Sequence, residues 1–146
     1  AVTHDGCCLS VGVTTILHSL TLGSFNPSAA RNTDNLRRLV DGLHDAQDQG
    51  MLRADHKIHW RCETTADDLR SRLEAMADHP MTAMFSLMDH TPGQRQYRNL
   101  EKHLANWQAN GMSEAAALER LAQVRDRQAR NAEGNRAHDS PAFKDS

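Results

Sequence analysis

The sequence predicts an α/β fold of parallel βα units, and three observations lead there. Short apolar or β-branched runs of strand length stand at Gly12 to Leu17, His56 to Glu63 and Met81 to Met88. The first two are followed by segments whose apolar residues recur at the spacing of one helix face, and parallel strands need crossover helices of that kind. The third observation is length: 146 residues suit one domain with one core, and fall far short of the ~250 that a complete (β/α)8 barrel usually needs.

The elements follow in chain order. Gly12-Val13-Thr14-Thr15-Ile16-Leu17 is a β-branched run behind a glycine and reads as a short buried strand, after which Gly23, Ser24 and Pro27 punctuate a loop spanning Thr21 to Asn26. Leu36, Leu39, Val40, Leu43 and Ala46 mark one face of a helix, with Asp34 favoured at its positive end and Gly50 as its stop. From His56 to Glu63 two parities separate: His56, Ile58, Trp60 and Cys62 on a mostly apolar side, Lys57, His59, Arg61 and Glu63 on a polar one. Thr65 opens the next helix, with Leu69, Leu73 and Met76 on its buried stripe and His79-Pro80 closing it. The third strand, Met81 to Met88, uses Met81, Met84 and Met88 as core packing and ends at Asp89-His90-Thr91-Pro92-Gly93. Two helices follow, one from about Gln96 to Trp107 stopped by Asn110-Gly111, the other capped by Ser113 and carried by Ala117, Leu118, Leu121 and Val124. From about Arg125 the chain is dense in charges and amides. The domain is therefore expected over 1–132, with 133–146 a disordered or frayed tail.

Composition excludes several classes of function. Seventeen basic against nineteen acidic residues give a net charge of −2, too weak a field for a nucleic-acid partner or an anionic membrane surface. No run approaches the ~20 apolar residues of a membrane span, and Ala1-Val-Thr-His-Asp-Gly6 lacks the basic and apolar regions of a signal peptide, so a cytoplasmic location is expected. Cys7, Cys8 and Cys62 form neither an even disulfide framework nor a C-x-x-C pair and read as reduced structural thiols. G-x-G-x-x-G, P-loop and G-x-S-x-G motifs are all missing, which removes the nucleotide folds and the serine-hydrolase elbow.

In parallel α/β folds the ligand site lies at the carboxyl ends of the strands, so polar residues there carry the chemistry. Glu63 ends the second strand and His90 the third. Neighbouring strands lie about 5 Å apart, a separation at which a carboxylate and an imidazole can share a divalent ion. Arg95 and Arg98 follow at a loop-to-helix transition, where backbone N–H groups also favour anions. His56 and His59 point to opposite faces and make no metal pair. His4, His18, His44, His79 and His103 have no ligand-like spacing and read as surface or core residues.

The stretches His56-Lys-Ile-His-Trp-Arg-Cys-Glu63 and Ser86-Leu-Met-Asp-His-Thr-Pro-Gly-Gln-Arg-Gln-Tyr-Arg98 closely resemble the phosphonate-metabolism branch of the amidohydrolase superfamily. Gly12-Val-Thr-Thr15 is similar to that superfamily's glycine-led strand, and Gly111-Met-Ser-Glu114 to this branch's helical hairpin; the resemblance covers roughly residues 4 to 132. It implies a metal-dependent hydrolase of the carbon–phosphorus lyase pathway built on a (β/α)8 TIM-type barrel, releasing diphosphate from a phosphorylated ribose phosphonate substrate, α-D-ribose 1-methylphosphonate 5-triphosphate. Within that resemblance Glu63 and His90 are the metal ligands, for zinc, manganese or iron, and Arg61, Gln94, Arg95 and Arg98 are triphosphate contacts. The superfamily's first-strand His-x-His pair and its later strands have no counterpart, so the chain is expected to be an incomplete fragment of the barrel, about three βα units with an added helical hairpin. With two metal ligands it is expected to be inactive or nearly so alone. An amidohydrolase acting on a C–N bond of a cyclic amide or amine, and a non-catalytic remnant that only binds a partner, are the alternatives; a homo-oligomer is left open.

Overall fold

In the computed structural model, which describes residues 1–23, 33–93 and 99–137, the chain runs α1 (Val2–Ser10), β1 (Thr15–Leu22), α2 (Thr33–Asp48), β2 (Asp55–Glu63), α3 (Leu69–Met76), β3 (Thr82–Met88), α4 (Leu100–Ala109) and α5 (Glu114–Arg136). The strands form one open sheet in the order β1-β2-β3, all parallel. The register sets Leu22 beside Cys62 and Glu63 beside Met88, so the carboxyl ends of all three strands meet at one edge.

Alternation along the strands decides which face is buried. Leu22, Ile58, Trp60 and Cys62 project to one side, where they meet Leu36, Val40 and Leu43 of α2 and Leu69, Leu73 and Met76 of α3. Trp60 is fully buried, and its indole N–H donates to Thr82 Oγ1 at 2.9 Å, which removes the cost of hiding that polar tip. Across the other face runs a polar rung: Ser19 Oγ lies 3.2 Å from His59 Nδ1, and His59 Nε2 lies 2.8 Å from Ser86 Oγ. Leu17 and Met84 on that face are 46% and 44% exposed, so the apolar core sits on one side of the sheet.

The structure departs from the sequence reading at several boundaries. β1 lies three residues further on than its glycine suggested. Gly12, at φ +84°, belongs to the turn leaving α1, and pairing with β2 from Asp55 to Cys62 carries the strand through Leu22, into the segment read as loop. α1 had no apolar stripe to announce it, because its one buried residue is Asp5. α3 begins at Leu69, since Thr64 to Ala66 turn tightly at the end of β2 with Ala66 N–H donating to the Glu63 carbonyl at 3.1 Å. Ser113 caps α5 as expected, its Oγ accepting from Ala116 N–H at 3.2 Å. That helix continues to Arg136, so the boundary placed at 132 falls inside it; the remainder of the expected tail, 138–146, lies outside the described residues.

Candidate functional site

Glu63 and His90 are brought into direct contact, His90 Nδ1 against Glu63 Oε2. β2 delivers Glu63 as its last residue, and β3 delivers His90 two residues past its end on the neighbouring strand. Glu63 is 4% exposed, so its carboxylate needs donors. The fully buried Thr65 hydroxyl donates to Oε1 at 2.8 Å, and the His90 ring donates through Nδ1–H to Oε2. That bond selects the tautomer in which His90 Nε2 carries the lone pair. Gly23 makes the packing possible from the β1 side. It stands at φ +78°, and a Cβ there would lie 2.6 Å from Ala66 Cβ and 3.5 Å from Glu63 Cβ.

The neighbouring Asp89 faces away from this pair, as its parity required, and is 5% exposed. Thr91 N–H donates to its Oδ1 at 3.0 Å, while Gln128 Nε2 and Arg136 Nη2 donate to Oδ2 at 3.2 and 2.7 Å. Burial pushes the Asp89 carboxyl up, but the donors of Thr91, Gln128 and Arg136 outweigh it and hold the group below the usual carboxylate range. Further along the same helix, Asn131 Nδ2 reaches the Thr65 carbonyl at 3.1 Å and Asn135 Nδ2 the Thr64 carbonyl at 2.8 Å. Amide side chains of α5 therefore close the turn that holds Glu63. These residues were not singled out from the sequence, although Gln128, Asn131 and Asn135 lie within one stripe at helical spacing with Leu121 and Ala132.

His90 and Pro92 also form one side of a cleft of about 480 Å³, whose other wall is the α4–α5 pair, with His103, Trp107, Arg120 and Arg127 among its lining. The Arg120 guanidinium lies 5.3 Å from the Trp107 ring centre, and the His103 ring meets the same indole at 4.7 Å, tilted by 70°. Burial, and then the Arg120 charge, lower the His103 pKa. Of the other predicted contacts, Arg61 stands on β2 two residues before Glu63 with its Nε–H directed to Met88 Sδ at 3.0 Å. Gln94, Arg95 and Arg98 lie outside the described residues.

At the opposite edge of the sheet a second polar chain appears. Asp5 Oδ1 accepts from the backbone N–H groups of Arg53 and Ala54 at 3.1 and 2.8 Å and lies 3.2 Å from His56 Nε2. His56 Nδ1 in turn lies 2.7 Å from His18 Nε2; with ring centres 5.0 Å apart and planes within 17°, the two imidazoles meet edge to edge. The Ala54 N–H, followed by the His56 and Arg53 donors, holds the Asp5 carboxyl below its ordinary value against the effect of burial. An ionised Asp5 fixes the proton of neutral His56 on Nε2, so His56 Nδ1 accepts from His18 Nε2–H. Burial, then the proximity of His56 and His4, lowers the His18 pKa. His18 and His56 thus have partners that their spacing in the sequence did not disclose.

Over 105 residues, 72% of its length, the chain is 32% identical to the alpha-D-ribose 1-methylphosphonate 5-triphosphate diphosphatase of Escherichia coli (strain K12). It spans 28% of that protein's length. A stretch that long within 146 residues necessarily includes both Glu63 and His90. The likeness relates this chain to a hydrolase. No family model matches the sequence, and no solved structure matches it. None of the described helices is long and apolar enough to cross a membrane.

Proposed function

We propose that this chain carries part of the active site of a metal-dependent hydrolase of phosphonate metabolism, one that releases diphosphate from α-D-ribose 1-methylphosphonate 5-triphosphate. The observation that carries the proposal is the Glu63–His90 pair, set at the carboxyl ends of adjacent parallel strands with His90 opening on a cleft that two arginines line. The relative's name supplies the substrate class.

The donor chemistry suits a divalent ion of the zinc, manganese or iron type, being one buried carboxylate and one imidazole whose tautomer is set. Their number does not suffice: among the described residues no group of three or more His, Cys, Asp or Glu is arranged to hold a metal. Catalytic ions of this kind usually take three protein ligands. His90 would therefore hold one side of the ion through Nε2, with the Glu63 carboxylate joining it where its contact with His90 Nδ1 is exchanged for the ion; such an ion would polarise a phosphoryl oxygen and acidify water. The remaining work falls to the chain's own residues. Thr65 and the α5 amides fix Glu63, Glu63 orients the His90 ring through Nδ1–H, and the Nε2 lone pair is the atom that His90 offers to the ion. Arg61, Gln94, Arg95 and Arg98 serve as phosphate contacts in this reading.

The same reading makes the sheet a piece of a (β/α)8 barrel. A parallel sheet is ordinarily covered on both faces, whereas this one buries its core on one side and turns the Ser19–His59–Ser86 rung and Arg61 to the other. A barrel interior accounts for such a face. The unpaired thiols of Cys7, Cys8 and Cys62 suit a reducing cytoplasm.

Loss of the free Mn²⁺ paramagnetic signal on adding the chain tests the metal assignment. Weak Mn²⁺ binding that tripolyphosphate strengthens, and that Glu63→Gln and His90→Ala each weaken at least tenfold, is the expected result. Binding by either variant as tight as the parent's would overturn it.

A further inference from the structure

The cleft beside His90 has a charge pattern that the strand-end pair does not explain. Its α5 wall carries Arg120 and Arg127, its α4 wall His103 and Trp107, and among the described residues Glu119 is its one acidic lining residue. Arg120 and Arg127 lie on one face of α5 about 10 Å apart along the axis, because seven residues make almost two whole turns. Guanidinium forks at that separation can close on a chain of two or three phosphates from both ends, each offering parallel N–H donors. The Arg120 guanidinium makes a cation–π contact with Trp107, and the Arg127 Nε stands 4.0 Å from Asp67 Oδ2. The volume, about 480 Å³, lies within the usual range for a small-molecule site.

We propose that the cleft between His90 and the α4–α5 pair is a polyphosphate-binding groove, in which Arg120 and Arg127 hold a di- or triphosphate chain with its reacting end toward His90. The nature of the ligand rests on the hydrolase reading above; the groove itself rests on the placement of the arginines. The cation–π contact with the indole restrains the Arg120 guanidinium, so less freedom is lost when a phosphate arrives.

Trp107 makes the test direct. The only other tryptophan is Trp60, fully buried in the core, so a fluorescence change on titration with inorganic tripolyphosphate reports the groove. The titration is run without metal, beside calorimetry of the same chain. Expected is saturable binding of tripolyphosphate and pyrophosphate, at least tenfold tighter than sulfate, with the optical signal lost in Trp107→Phe. Arg120→Gln and Arg127→Gln, neither at a buried position, should each weaken calorimetric binding about tenfold while Arg120→Lys recovers part of it; circular dichroism verifies the fold of each. Tripolyphosphate binding that survives both glutamine substitutions, or sulfate binding as tightly, overturns the groove. Glu63→Gln separates the two claims: it should weaken Mn²⁺ binding at least tenfold and leave metal-free tripolyphosphate binding intact. Failure of the groove leaves the metal assignment standing, and failure of the metal leaves the groove.

Discussion

Arg136 Nη2 lies 2.7 Å from Asp89 Oδ2, joining the last turn of α5 to the residue that follows β3. Asp89 is nearly buried, while the Arg136 side chain is 39% exposed, so the pair is worth less than a buried one but more than a surface one. Arg136→Gln should destabilise the fold by about 1–2 kcal/mol, since Gln128 and the Thr91 N–H remain on the carboxylate. Asp89→Ala should cost as much or more, by freeing all three donors at once. Urea unfolding midpoints measure both; an unchanged midpoint for Arg136→Gln contradicts the anchoring role given to the end of α5.

That anchor also shows where sequence reasoning stops. β2 and most of the α2, α3 and α5 stripes were legible because hydrophobic periodicity reports burial directly, and Leu36, Val40, Leu69, Leu73 and Ala117 are all buried; Leu39, Leu118 and Met84, expected in the core with them, are exposed instead. Glu63 and His90 were legible as neighbours because their strands are consecutive and parallel. The far end of α5 was not, because Gln128, Asn131, Asn135 and Arg136 dock through hydrogen bonds to carbonyls and a carboxylate. A polar helix face that binds protein has the same letters as one that binds water. The same holds for Asp5, His18 and His56, which lie far apart in the chain and meet through β1–β2 pairing and a helix with no apolar signature.

Gly23→Ala should be among the most damaging single changes. Alanine at φ +78° costs about 1–2 kcal/mol by itself, and its Cβ would lie 2.6 Å from Ala66 Cβ, so β1 and the turn after Glu63 must separate. A loss of about 2–4 kcal/mol in urea unfolding is expected. A loss below about 0.5 kcal/mol, the range of an ordinary surface change, would show that the contact is not tight in solution.

Stability should fall toward acid in two stages. The His18 pKa is lowered from 6.5, so the unfolded chain takes up a proton more readily than the folded one, and stability begins to decline as pH drops below 6.5. The Asp5 and Asp89 carboxyls are held below 3.8; their contribution is complete above that value and is lost as pH falls through the depressed folded values. Thermal midpoints between about pH 8 and pH 3 track both stages. His18→Asn should flatten the upper stage, and Asp5→Asn should reduce the lower one. A His18→Asn profile that superimposes on the parent's rules out His18 as the source of the upper stage.

The three cysteines should separate by reactivity. Burial pushes the Cys62 thiol up to about 12, whereas Cys7 is exposed and Cys8 partly so. A thiol reagent at about pH 8 should label two groups rapidly and the third only with unfolding. Rapid labelling of all three contradicts the burial of Cys62 beneath α2 and α3.

Zinc-edge X-ray absorption of the chain loaded with one equivalent of Zn²⁺ decides whether Glu63 and His90 hold a metal. Coordination by that pair gives a shell of oxygen and nitrogen at about 2.0–2.2 Å, with one imidazole and no sulfur. A sulfur scatterer near about 2.3 Å would instead place the ion at Cys8, whose Sγ lies 3.7 Å from His4 Nε2 at the other end of the sheet, and would refute the strand-end assignment.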